Sequence, residues 1–151
     1  MNVLWLSLHL LSVVAWVGGM LFALVVLRPS LSVLAPDARI DLHARVFRRF
    51  FLLVWHAMVI AVASGFLLVW SVYGGFAGAG PYVHTMTLLG LIMAAVFLWL
   101  FFGPWRAMRG ALSRQDRAGA AGAMGRIRHL VLVNLVLGAV TIVLGALAQF
   151  G

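Results

Sequence analysis

The sequence predicts an all-α integral membrane protein, a single four-helix bundle spanning residues 1–151 with its N-terminus and C-terminus outside. Three observations carry that prediction. Of 151 residues, 65% are hydrophobic and 9% charged, with a mean hydropathy of +1.12, whereas a soluble domain averages about 25% charged residues. The uncharged residues gather into four runs, roughly 2–27, 50–73, 82–103 and 130–151, each long enough to cross about 30 Å of hydrocarbon as a helix. Every charged side chain lies in the first or third connection between them.

The first run has no basic leader and continues past Gly18 and Gly19 to Arg28 and Pro29, so it reads as a retained span rather than a cleaved secretory signal. The first connection sets Arg28, Arg39, Arg45, Arg48 and Arg49 against Asp37 and Asp41, a net +3. Within it, residues 41–49 suit a short amphipathic helix on the inner leaflet, its arginines reaching lipid phosphate. The second run leads into an uncharged Gly/Ala connector at 74–80. The third run ends at Gly103 and Pro104, where the missing N–H closes the helix or kinks it. The third connection sets six arginines against Asp116, a net +5, and together these two connections hold the whole +8 of the chain. The excess of positive charge assigns both to the cytoplasm, in a bacterial-type inner (plasma) membrane. On the fourth run Asn134, Gly138, Thr141 and Gly145 recur at i, i+4, i+7 and i+11, a stripe suited to close helix packing.

Composition excludes several chemistries. The chain has no cysteine, which removes disulfides, thiolate metal sites, iron–sulfur clusters and cysteine nucleophiles. Its basic residues are all arginine, with no aromatic platform between them, so the charge reads as topology and nucleic acid is excluded as a partner. There is no HExxH, phosphate-binding loop or dinucleotide fingerprint.

With no carboxylate in any run, the candidates for chemistry are His9, His43, His56, His84 and His129. An imidazole inside a membrane helix is costly unless partnered, so intramembrane histidines point to function. At about 1.5 Å per residue, His9 stands roughly 28 Å above Arg28 and His84 roughly 33 Å above Arg106, both near the outer surface. On the inner side, His56 stands about 10 Å above Arg49 and His129 about 2 Å above Arg128, a poorer match. His43 and His129, beside arginines, are expected to face headgroups. Trp5, His9, Ser12 and Trp16 share one helix face, an aromatic stripe on which a flat macrocycle would fit. The structural alternative is a histidine hydrogen-bonded to a neighbouring helix. A haem held by two neutral imidazoles needs no thiolate, carboxylate or glycine-rich loop. Copper(I) would need thioether and imidazole together, and the seven methionines are scattered, with Met58, Met86 and Met93 reading as core filler.

The run from Leu8 to Phe22, in which His9 precedes Trp16 by seven residues and Gly18-Gly19 follows, resembles the first helix of two related groups: CopD-like (copper resistance D) membrane proteins and HemJ-type protoporphyrinogen oxidases. Arg126-Ile127-Arg128-His129, with Asn134 and Gly138 beyond it, is similar to the pattern that opens their last helix. The resemblance implies a four-helix fold, with haem b bound through His9 as in HemJ-type members or copper handling as in CopD-like ones. HemJ-type proteins carry Leu-His-x-Lys on the third helix. Here His84 matches the histidine but Met86 stands where the lysine belongs, which removes the group a porphyrinogen oxidase would use on an anionic substrate.

The expectation is therefore a small b-type haem protein with His9 and His84 as axial ligands and Trp5, Ser12 and Trp16 around them, serving electron transfer or haem-dependent redox chemistry. A second haem at His56 and His129 is weaker. Copper handling is the alternative, and a cofactor-free assembly partner of a membrane complex is a third. The partners implied are the lipid bilayer and a redox partner or a second copy of the chain.

Overall fold

The computed structural model describes residues 1–148, and among them the secondary structure is entirely helical. Four long helices follow one another: α1, Asn2–Val33; α2, Pro36–Tyr73; α3, Pro81–Ser113; and α4, Arg117–Leu147. All four are long and apolar enough to span a membrane, so the protein is a multi-pass membrane protein. The last three residues of the expected fourth span lie outside the described residues.

The helices run well past the charge boundaries. Residues 41–49 are not a separate surface helix but the first turns of α2, which at 38 residues is about 57 Å long. Ile40, His43, Phe47, Phe51 and Val54 form one buried stripe along it, so the amphipathic face continues unbroken into the apolar span. Arginine is a good helix former, and nothing in a charged side chain interrupts the i→i−4 ladder.

Proline acts differently here from a terminator. Pro104 sits inside a π-helical segment, Phe101–Trp105, and α3 continues beyond it to Ser113. A second π segment, Phe22–Leu27, precedes Pro29 in α1. The wider turn relieves the clash of each proline ring with the carbonyl four residues back. Elsewhere proline starts helices: Pro36 and Pro81 open α2 and α3. Gly74, at φ +70°, closes α2, with its N–H donating to the Trp70 carbonyl and that of Gly75 to Val69. The Asp116 carboxylate caps α4 by accepting from the Gly119 N–H at 2.8 Å.

The first helix packs chiefly on α2, and α3 chiefly on α4, with a smaller α1–α4 contact closing the bundle. The small-residue stripe of α4 faces inward. The Asn134 side-chain amide donates to the Met93 carbonyl of α3 at 3.1 Å, and a Cβ on Gly138 would lie 2.8 Å from Val17 of α1 and 3.2 Å from Met93. Thr141 donates to the Leu137 carbonyl of its own helix. Large apolar side chains such as Leu11, Val14, Leu52, Trp99 and Val143 remain exposed on the outside, the surface a bilayer covers.

Candidate functional site

The half of the bundle away from the arginines contains one histidine gripped by another helix. His9, half-buried on α1, bonds through Nδ1 to the Ala61 carbonyl of α2 at 2.9 Å. A carbonyl can only accept, so Nδ1 carries the proton and Nε2 is left with its lone pair. The Ser64 hydroxyl, which donates to the Ile60 and Ala61 carbonyls of its own turn, lies 3.3 Å from the same Nδ1. Gly65 makes the approach possible, because a Cβ there would stand 3.2 Å from the His9 ring. Ala61, Ser64 and Gly65 are thus the neighbours of His9 that the first-helix stripe could not reveal. Their signal in the sequence is a patch of small residues in an otherwise bulky span.

The rest of the stripe follows the expected face. Trp5 is half-buried, and Ser12 and Trp16 are buried, with the Trp16 ring set edge-on to Phe97 of α3 at 6.4 Å. Trp16 therefore belongs to the packed interior, and Trp5 is the more open of the two indoles.

The other histidines occupy different surroundings. His84, near the start of α3, is exposed, its ring tilted against Phe76 of the 74–80 connector at 5.7 Å. It makes no hydrogen bond through its ring to any described residue, and it lies on a helix that packs mainly on α4 while His9 is held by α2. His56 is exposed, with Nδ1–H donating to the Leu52 carbonyl one turn back. His129 is exposed and lines an open groove with Trp99, Pro104 and Arg126. His43 departs from expectation: it is 4% exposed rather than turned to headgroups, because α2 starts at Pro36 and carries its ring onto Phe47 at 5.5 Å. Among the described residues there is no group of three or more His, Asp or Glu able to enclose a metal ion.

The family model for copper resistance protein D matches residues 44–148, from the first turns of α2 to the end of the described α4. The chain belongs to the CopD family. The matched region includes His56, His84 and His129 and leaves out α1, so His9 falls outside it. An uncharacterized protein of Aquifex aeolicus (strain VF5) is 29% identical over 152 aligned positions, covering 100% of this CopD-family chain and 97% of the relative. No solved structure matches.

Proposed function

We propose that this CopD-family protein is a small membrane haem protein of the bacterial inner membrane, with a b-type haem held through Nε2 of His9, His84 as second candidate ligand, and electron transfer as its role. The observation that carries the proposal is the Nδ1–H bond from His9 to the Ala61 carbonyl. Metal-ligating histidines characteristically donate their other ring nitrogen to such an acceptor, which fixes the tautomer and orients the ring. The donor set points the same way. A bare metal ion needs three or four protein ligands, whereas a haem brings four nitrogens and asks one or two of the protein. A single tethered imidazole, with Trp5 one turn away on the same helix face, meets the second requirement and falls short of the first.

Bound there, haem would supply reversible one-electron chemistry. The protein's own part is to hold the imidazole through the Ala61 carbonyl, to let it close on α2 over Gly65, and to shield it with the Trp5 indole. By the positive-inside rule the arginine-rich end faces the cytoplasm, which puts His9 toward the outer leaflet. A redox partner would then approach from that side.

The protein purified in mild detergent is expected to show a sharp Soret band and split α and β bands on dithionite reduction, lost in His9→Ala. A colourless protein that binds Cu(I) stoichiometrically would overturn haem in favour of copper handling, the second reading, which the family match supports. A colourless, metal-free protein would leave the assembly role.

A further inference from the structure

Between α3 and α4, at the arginine end, lies an open groove of about 440 Å³ that neither haem nor copper at His9 explains. Ala120, Ala123 and Ile127 of α4 are turned inward and fully buried. Gly122, Gly125, Arg126 and His129 lie on the flank of that buried stripe and form one wall of the groove. A Cβ on Gly122 or Gly125 would meet nothing within 4 Å, so this part of the wall is bare backbone facing open space. Trp99 and Pro104 form the facing wall, where the π-helical turn Phe101–Trp105 widens α3.

The groove is polar toward the arginine end and apolar toward the span. Arg126 and His129 stand just before the uncharged run that begins at Leu130. Both are exposed, and neither side chain bonds to any described residue; the single ion pair among those residues is Arg117 with Asp41. Trp99 is 70% exposed. Its ring is laid back over Gly103, with Nε1 3.5 Å from where a Cβ would stand, which carries the indole N–H toward the arginine end. The surrounding connection, 105–129, has a net charge of +5. Such a groove, set where hydrocarbon meets water and supplied with unpaired donors, complements an amphiphile with an anionic head.

We propose that the groove binds an anionic phospholipid of the cytoplasmic leaflet. Its headgroup rests on the bare backbone of Gly122 and Gly125, its phosphate lies against Arg126 and His129, and one acyl chain follows Trp99 and Leu130. A guanidinium suits phosphate because it offers a planar fork of donors. The glycines keep the wall low enough for the headgroup to reach that fork. The site does not depend on a cofactor at His9.

Thermal unfolding of the delipidated, detergent-purified protein tests the site. Dioleoyl-phosphatidylglycerol is expected to raise the midpoint by roughly 5 °C. Dioleoyl-phosphatidylcholine, with the same chains on a head of no net charge, and inorganic phosphate, which has no chains, should leave it unchanged. Gly122→Leu/Gly125→Leu fills the groove. Leucine favours a helix over glycine and enters open space here, so this variant should unfold without lipid at or above the wild-type midpoint and yet lose the shift. Arg126→Gln, which leaves the backbone untouched, should cut the shift to less than half. Arg45→Gln, an exposed arginine of α2 outside the groove, should retain it in full. No shift with phosphatidylglycerol, an equal shift with phosphatidylcholine or inorganic phosphate, more than half the shift in either groove variant, or an equal loss in Arg45→Gln overturns the proposal.

Discussion

The two halves of the bundle are packed with different materials. In the arginine-side half the interior is aromatic: Phe51, 1% exposed, stacks on Phe47 at 5.4 Å and meets the rings of Trp105 at 5.3 Å and Phe97 at 6.0 Å. Trp55 continues the cluster onto Phe97 and Phe101. Around His9 the buried residues of α2 are Ala57, Met58, Ala61 and Ser64, three of them small, and the contact between helices is a hydrogen bond beside a glycine. In lipid, apolar side chains gain nothing from leaving water, so helix association rests on dispersion and on interhelical hydrogen bonds. The aromatic half maximises the first. The histidine half uses the second, its small side chains letting the imidazole reach the α2 backbone.

The sharpest way to break that comparison is Phe51→Ala. It removes the ring at the centre of the cluster and leaves a cavity that neighbouring rings cannot fill, so a loss of about 3 kcal/mol is expected from reversible unfolding in mixed micelles. A loss under about 1 kcal/mol would mean that the aromatic half is not where stability resides. Gly65→Ala probes the other half. The new methyl would press on the His9 ring at 3.2 Å, while alanine favours the helix, so the two effects offset and the free energy of unfolding should stay within about 1 kcal/mol of wild type. Its effect belongs on the site: if His9 binds haem, the Soret band should shift or broaden although the fold is intact.

The legible part of this molecule was whatever hydropathy and periodicity encode. Four spans, the arginine end and the inward stripe of Asn134 and Gly138 all follow from which residues tolerate lipid and which repeat on one face. The helix ends were not legible, because charge density marks where lipid stops and not where backbone hydrogen bonds stop; α2 therefore starts at Pro36, well before its first uncharged run. His43 was misplaced for the same reason. Its neighbours Arg39 and Arg45 suggested a surface, yet its helical face is that of Ile40 and Phe47, and the face decides burial. The partners of His9 depend on the register between α1 and α2, a tertiary quantity absent from either segment alone. At Pro104 the sequence offered a break or a kink, and the backbone found a third solution by widening the turn.

The smallest effect is expected from the one ion pair among the described residues, Arg117 of α4 with Asp41 of α2 at 2.6 Å. Both side chains are nearly half exposed, at 44% and 47%, and solvent screens such pairs until the attraction barely exceeds the entropy of holding two side chains together. Asp41 raises the Arg117 pKa above its ordinary value, first through the hydrogen bond and then through charge. A raised basic pKa contributes stability at any pH below the unfolded value and loses it only as pH climbs through the folded one. For arginine that window lies far above neutrality, so the pair is pH-independent under physiological conditions. Arg117→Gln should accordingly leave the unfolding midpoint unchanged at low and at high salt. If it fell as far as in Phe51→Ala, the arginine end would be held by charge at its rim rather than by aromatic packing beneath, and the contrast between the two halves would have to be redrawn.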